Sequence, residues 1–551
     1  MSELVHARRA SAAAAACILG TSTVALTAPS TLWAADNPTV QQQLSELQKA
    51  VAAQKAQLEA QQKLLEQQAA LIEQLQKQAD LASSSAAAVA KVEQSVNEQK
   101  LKSQDSAKLS VTNGRPTFTS ADGRSSLSLR AVVQMDMAAH NDGTEGAAAT
   151  DFRRGSVGAT ANRETSAARD LSDGVYFRRA RMGFEGNFTR DFEYRLMLEL
   201  GGAGTEGPTR INDAWIAYNG LGPFRIQLGA FSPAANMEDS TSPEDLLFLE
   251  RASPSELSRT LAGADGRIGL GLRGSGKRWM SALTLTSRTV NDAEVFDSQL
   301  AAVGRFGYLA ATSGSYNVHV GASGTYVFQP ADQGSATTPR YAIRFRDRPE
   351  IRVDSTRLID TGGIDADSAY SAGLEFGMNY QNYFFQAENY WYGVSRREPA
   401  TLPNPSFGGY YAEASWVLTG EAHRYNVANG SFQGPKPMVP FSLSAGGWGA
   451  WELAARYSHT DLDYREGLGL TAADPVSIRG GKQNIMAFGV NWYPVTNFRL
   501  MLDYLHVSVN RLNPAGPGNL TPFGPAPATP PNGVQIGQDL NVIALRSQFS
   551  F

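Results

Sequence analysis

Leu127-Ser-Leu-Arg-Ala-Val-Val-Gln-Met-Asp-Met-Ala138 places Leu127, Leu129, Ala131, Val133, Met135 and Met137 on one face of an extended chain. Ser128, Arg130, Val132, Gln134, Asp136 and Ala138 fall on the other, because successive side chains of a strand point to opposite sides. The same period of two returns in Arg179–Phe188 and Phe192–Leu200, where Arg179, Arg181, Glu185, Arg195 and Glu199 oppose Met182, Phe184, Leu196 and Leu198. A soluble sandwich shows a similar alternation. Here the strands run to ten residues or more, aromatics gather near their ends (Tyr390, Trp391, Tyr392; Trp492, Tyr493), and connections alternate short with long. Short turns fall at 187–191, 219–223, 380–383 and 493–497, and long loops at 141–173, 233–265, 329–368 and 511–539. That asymmetry belongs to outer-membrane barrels, and the chain closes on Asn541–Phe551, with Ile543, Leu545, Phe549 and Phe551 on one face. The expected fold is all-β: a 16-stranded antiparallel transmembrane β-barrel over 109–551, wide enough for an aqueous lumen.

Ahead of the barrel the period is different. Residues 1–35 carry Arg8 and Arg9 and then an apolar run, with small residues at Ala34 and Ala35, and read as a signal peptide. Residues 36–82 are rich in Gln, Ala, Leu, Glu and Lys, with Leu44, Val51, Leu58, Leu65, Ile72 and Ala79 spaced by seven. A sustained heptad predicts an N-terminal α-helical coiled coil, the alternative being a long amphipathic helix packed on the domain behind it. Residues 83–108 lose the pattern and read as a flexible linker. The single cysteine, Cys17, lies in the leader, so disulfide, zinc and thiol chemistry are excluded, and no cofactor or metal is expected.

The net charge of −4 implies no strong bulk attraction to nucleic acid. Its distribution says more: from Leu109 onward there are 36 Arg but only three Lys. Arginine offers a permanent planar fork for oxyanions, although a GC-rich genome would give the same bias. In Tyr341-Ala-Ile-Arg-Phe-Arg-Asp-Arg-Pro-Glu-Ile-Arg352 the steps between Arg344, Arg346, Arg348 and Arg352 are all even. An extended chain would align them at roughly 7 Å spacing, a row of fixed positive charge suited to anions.

Phe177-Arg-Arg-Ala-Arg-Met-Gly-Phe-Glu-Gly186, Gly408-Gly-Tyr-Tyr411, Leu418–Tyr425, Ala450–Ser458 and Gly489-Val-Asn-Trp-Tyr-Pro494 together resemble the phosphate-selective porin O and P family, across most of the barrel. The resemblance implies a homotrimer of 16-stranded barrels in the outer membrane of a Gram-negative bacterium, among lipid and lipopolysaccharide. It implies a loop folded into each pore, and a ladder Arg-x-Arg-x-Arg-x-x-x-Arg that the four arginines match. Several members also carry a periplasmic coiled coil. One departure stands out. Aligned on Phe248-Leu-Glu-Arg251, Glu244 occupies the place of the basic residue expected in the constriction, where a carboxylate would repel phosphate.

The function expected is passive diffusion of small anions, phosphate or polyphosphate first, along Arg344, Arg346, Arg348 and Arg352. Arg130, Arg179, Arg181 and Arg195 are further lumen charges, and Glu244 and Arg251 belong to the constriction. Wall arginines of barrels also pair with facing carboxylates, and Glu185, Glu193 and Glu199 are near at hand. The alternatives are a general or differently selective anion porin, with the coiled coil tethering the outer membrane to the cell wall. An enzyme is not expected: Ser458-His459-Thr-Asp461 offers triad residue types, but neighbours on a strand diverge.

Overall fold

The computed structural model describes residues 40–104, 106–142, 171–202, 209–293, 296–397, 402–466, 476–514, 532–533 and 535–551. The leader read at 1–35 and the middle parts of the loops at 141–173 and 511–539 lie outside them. Two compact units divide near Leu101.

The first is a helix, Val40–Gln104. It continues past Ser83, so the linker expected over 83–108 gives way to helix over most of its length. The physical reason is the absence of Gly and Pro there. Ser83, Ser84 and Ser85 also return their hydroxyls to the carbonyls of Asp80, Leu81 and Ala82, each at 2.9 Å, and so satisfy themselves without leaving the helix. Leu44, Val51, Leu58, Leu65 and Ile72 are each more than half exposed along it.

The second unit is the barrel. Sixteen antiparallel strands follow in chain order: Ser126–Asp142, Gly174–Asn187, Phe192–Gly202, Arg210–Leu221, Phe224–Phe231, Arg267–Ser275, Trp279–Thr289, Leu300–Thr312, Tyr316–Gln329, Ile364–Tyr380, Tyr383–Arg396, Ser406–Val417, Ala450–Tyr464, Ile478–Val495, Phe498–Asn510 and Asp539–Ser550. The last pairs with the first, from Ser550 opposite Val132 to Leu540 opposite Asp142, and the ring closes. Closure leaves no free edge, which the hydrocarbon requires because it offers no partner to an open backbone. A short hairpin, Lys108–Thr112 with Arg115–Thr119, enters the ring against the start of the first strand. The carboxyl end is pinned by Phe551 N–H to Ala131 O (3.1 Å) and Ala131 N–H to Phe551 O (3.2 Å).

The alternation read from the sequence is the inside and outside of this wall. Leu129, Val133, Met135, Met137, Met182, Leu270 and Leu285 are exposed outward, while Gln134, Asp136, Arg546 and Gln548 are buried within. Of the strand-end aromatics, Trp391 is exposed outward whereas Tyr390, Tyr392 and Tyr493 are buried inside. The long loops singled out above all lie at one end. The other end holds the short turns and one connection that the alternation of loop lengths did not anticipate, 418–449. Its inner part forms a hairpin, Arg424–Asn426 with Ser431–Gln433.

Leu285 is outward-facing in the middle of its strand, opposite Leu270. Leu285→Arg should cost about 2–4 kcal/mol of folding free energy in lipid vesicles, the depth-dependent penalty of a guanidinium near the midplane. Reversible denaturant titration followed by tryptophan emission measures it.

Candidate functional site

Two segments from the long-loop end fold into the barrel. The first, between Phe231 and Arg267, carries a single-turn helix, Met237–Ser240, and a longer one, Ser253–Ala262. Asn236 caps the short helix by accepting Asp239 N–H at 2.7 Å. The wall residue Glu388 accepts Met237 N–H (3.0 Å) and Glu238 N–H (2.9 Å), placing a carboxylate where two amides converge. The longer helix starts with Pro254 in its first turn and is buried almost throughout, with Tyr392 donating its hydroxyl to Pro254 O at 2.5 Å.

Glu250 is the hub of this segment. It takes Arg178 through two bonds (2.5 and 3.0 Å), Arg352 at 3.0 Å and Arg546 at 3.2 Å. Burial would raise its pKa, but Arg178 and Arg352 hold the carboxyl well below the usual carboxylate range. Arg546 also grips Asp136 (2.6 and 2.7 Å) and donates to Leu249 O (2.5 Å). Arg178 reaches Glu250 because the strand bulges there: Gln134 faces Arg179 and Met135 faces Phe177, so Arg178 and Arg179 both turn inward. Strict alternation would have sent Arg178 to the lipid face, a costly place for a charge. That cost was the signal in the sequence, and it went unread. Nearby, Arg456 meets Glu350 at 2.5 Å, Glu238 and Glu413 at 3.6 Å, and the ring of Phe248 at 4.5 Å.

The second inward segment holds the arginine row. Arg344 and Arg346 share an exposed face, with Ile343, Phe345 and Asp347 buried behind them. The extended course ends there. At Glu350 the backbone enters the left-handed region (φ 57°), and Arg348 is buried rather than aligned. The four arginines therefore do not form one straight row. Arg344 is tied to Asp360 (Nε to Oδ1, 2.7 Å), and Arg352 to Glu250 and Glu256 (3.0 and 2.7 Å). Among the described residues, Arg346 and Arg348 have no carboxylate partner, and Arg348 Nε is buried without a hydrogen bond. Arg357 was not anticipated and joins them; partial burial, then Arg348 and Arg346, push its pKa down to about 10.

On the short-turn side lies a cavity of about 1000 Å³. Eleven basic side chains line it against seven acidic ones. Most of the expected lumen charges here are paired. Arg130 binds Glu244 (3.2 Å) and Glu185 (3.6 Å), Arg181 binds Glu199 and Asp265 (2.8 Å each), and Arg195 lies 3.4 Å from Glu185 and 3.6 Å from Asp213. Among the described residues, Arg179 has only the amide oxygen of Gln134, at 2.6 Å. Glu193 serves Arg225 instead (3.1 Å). Arg251 is turned to the carbonyls of Glu238 and Thr241 (3.3 and 3.2 Å), so it closes the end of the short helix. Arg273, Arg424 and Lys436, which sequence reasoning did not select, also line the cavity and have no carboxylate partner among the described residues.

The sequence matches the family description "Phosphate-selective porin O and P" over residues 152–519. The chain belongs to this family. It is 27% identical over 347 residues to an uncharacterized protein of Caulobacter vibrioides, covering 61% of this chain and 63% of that protein. It is 24% identical over 359 residues to Porin O of Pseudomonas aeruginosa, covering 62% of this chain and 78% of the relative. An anion-selective porin from Comamonas acidovorans aligns over 78% of this chain and 100% of its own, with 12% identity and a TM-score of 0.43.

Against the family expectation, Glu244 does stand in the inward loop, but its charge faces Arg130 and is not presented alone. The triad residue types diverge: Ser458 Oγ donates to Glu350 (2.5 Å), His459 contacts Asn484 (2.7 Å), and Asp461 lies 3.6 Å from Lys482.

Glu250→Gln removes the charge that three guanidiniums share. Uncompensated buried charge of this kind costs about 3–5 kcal/mol, so the unfolding midpoint in denaturant should fall sharply. Protease should also reach the 232–266 segment in the folded variant, which gel analysis would show.

Proposed function

We propose that this chain is an outer-membrane porin for passive diffusion of small anions, with phosphate or polyphosphate as the preferred class. The observation that carries the reading is the set of guanidiniums left without carboxylates at both ends of the inward loops. Arg346, Arg348 and Arg357 stand on the long-loop side, and Arg273 and Arg424, with Lys436, on the other. An entering anion loses part of its hydration, and guanidinium N–H groups replace it with charge-assisted hydrogen bonds. Several weak stations in series permit exit, where one tight site would hold the ion. The excess of basic over acidic lining supports the sign of the transported charge. The pairing of Glu244 with Arg130 supports passage despite the carboxylate. A family of porins speaks for a channel rather than an enzyme.

The assembly that suits this reading is a homotrimer in lipid and lipopolysaccharide, with the helix Val40–Gln104 in the periplasm. At 1.5 Å per residue the helix reaches ~98 Å. Its exposed heptad series then meets the same series of the other copies, and the bundle extends toward the cell wall.

Arg346→Ala combined with Arg348→Ala should lower the anion-to-cation permeability ratio severalfold in planar bilayers while the barrel still inserts. An unchanged ratio would remove the ladder from the path. The same assay has a pH arm. Burial, and then Glu256, push the Asp347 carboxyl up to about 7, against the pull of Arg352. Its folded pKa thus exceeds the unfolded value near ~4, so the stability this carboxyl lends is full below that value and is lost as pH rises through about 7. Below about 7 it is neutral and offsets none of the adjacent positive charge. Anion preference should therefore rise on going from about pH 8 to about pH 6, and Asp347→Asn should flatten that dependence.

A further inference from the structure

The connection 418–449 has an outer half that the anion path does not use. From Pro437 to Trp451 the sequence is Pro-Met-Val-Pro-Phe-Ser-Leu-Ser-Ala-Gly-Gly-Trp-Gly-Ala-Trp, without a single charge. Its apolar side chains are turned away from protein: Leu443 is 90% exposed, Trp448 72%, Met438 67% and Val439 61%. Loops in water carry charge and shield such groups, so an exposed set of this size marks a contact.

Its position says with what. Trp451 and Trp492 are register partners on neighbouring strands, and on those strands Leu453, Phe488 and Met486 continue as outward, exposed residues. The two indoles stack at 5.3 Å, and both donate Nε1–H to Trp448 O, at 3.2 and 2.9 Å. Phe441 packs edge-on against Trp492 at 5.2 Å, and its N–H donates to Pro494 O at 2.7 Å. The segment therefore lies on the outside of the wall at its short-turn end, continuous with the lipid-facing surface, where aromatic girdles sit at the headgroup level.

The tip is also prepared for a medium of low polarity. Ser442 N–H donates to Gly447 O (3.0 Å), Gly446 and Gly447 donate to Ser442 O (2.9 and 3.1 Å), and Ala445 N–H goes to Ser442 Oγ (3.1 Å). Gly446 supplies the left-handed turn (φ 76°) that this closure needs. With four of its amides paired internally, those of Ser442, Ala445, Gly446 and Gly447, the tip carries fewer free backbone groups into the acyl boundary.

We propose that residues 438–448 form an interfacial anchor that seats Met438, Val439, Leu443 and Trp448 in the phospholipid leaflet on the short-turn side of the barrel. The inference rests on the barrel spanning a bilayer and not on which solute it passes.

The test uses the full chain with Cys17→Ser and Leu443→Cys, labelled with an environment-sensitive fluorophore and reconstituted in phosphatidylcholine vesicles with or without lipid carrying a spin label on the acyl chain. Phe488→Cys serves as the lipid-facing reference and Asp122→Cys, on an exposed turn, as the aqueous one. The anchor predicts blue-shifted emission at 443 and a loss to spin-labelled lipid as large as at 488. Emission and quenching like those at 122 would overturn it. So would shielding from an aqueous quencher without lipid quenching, together with crosslinks between copies, since that would make the tip a protein contact. Ser444→Cys repeats the measurement at a second tip position should Leu443→Cys fail to insert.

Discussion

Everything in the barrel depends on the demand that no backbone group face hydrocarbon unpaired. The seam between Ser126–Asp142 and Asp539–Ser550 meets that demand, and it also fixes what happens inside. Closing the ring forces every second side chain inward, so the charged half of each strand shares a confined interior. Most charges there are held by partners. Arg546 shows how the two requirements join: its register partner across the seam is Asp136, which it grips twice, and its remaining bonds reach Leu249 and Glu250 of the inward loop. One guanidinium thus belongs to both the closure and the plug. Such a buried network adds little net stability over an apolar one, but it holds the loop in a single place.

The wall was legible because its physics is local. A period of two survives in any strand with lipid on one side, which is why Met135 and Gln134 could be assigned to opposite faces from the sequence. The number of strands followed from the turns. The bulge at Arg178 was not read, its one mark being an arginine that strict alternation would have turned to lipid. Nor was the end of the arginine row. Even spacing implies one face only while the chain stays extended, and the left-handed turn at Glu350 sends Arg352 back to Glu250 and Glu256.

The helix beyond Ser83 replaces an expected linker, and the connection at 418–449 was not anticipated. Serines and a long gap between strands usually mean loop, yet serine can satisfy itself on a helix, and a connection can fold inward at the end that normally carries short turns. Arg273, Arg424, Lys436 and Arg357 became candidates only once their lack of carboxylates was visible, which is a three-dimensional fact.

Arg305 receives the two ends of the molecule at one point. Its guanidinium binds Glu375 on the wall, Ser240 Oγ (2.9 Å) from the loop of one face, and the carbonyls of Asn429 (2.7 Å) and Gly430 (2.6 Å) from the hairpin of the other. Segments from both faces therefore meet on one wall side chain. In mechanical terms, Arg305 is a rivet: one side chain fastens the loop of one face, the hairpin of the other and the wall between them.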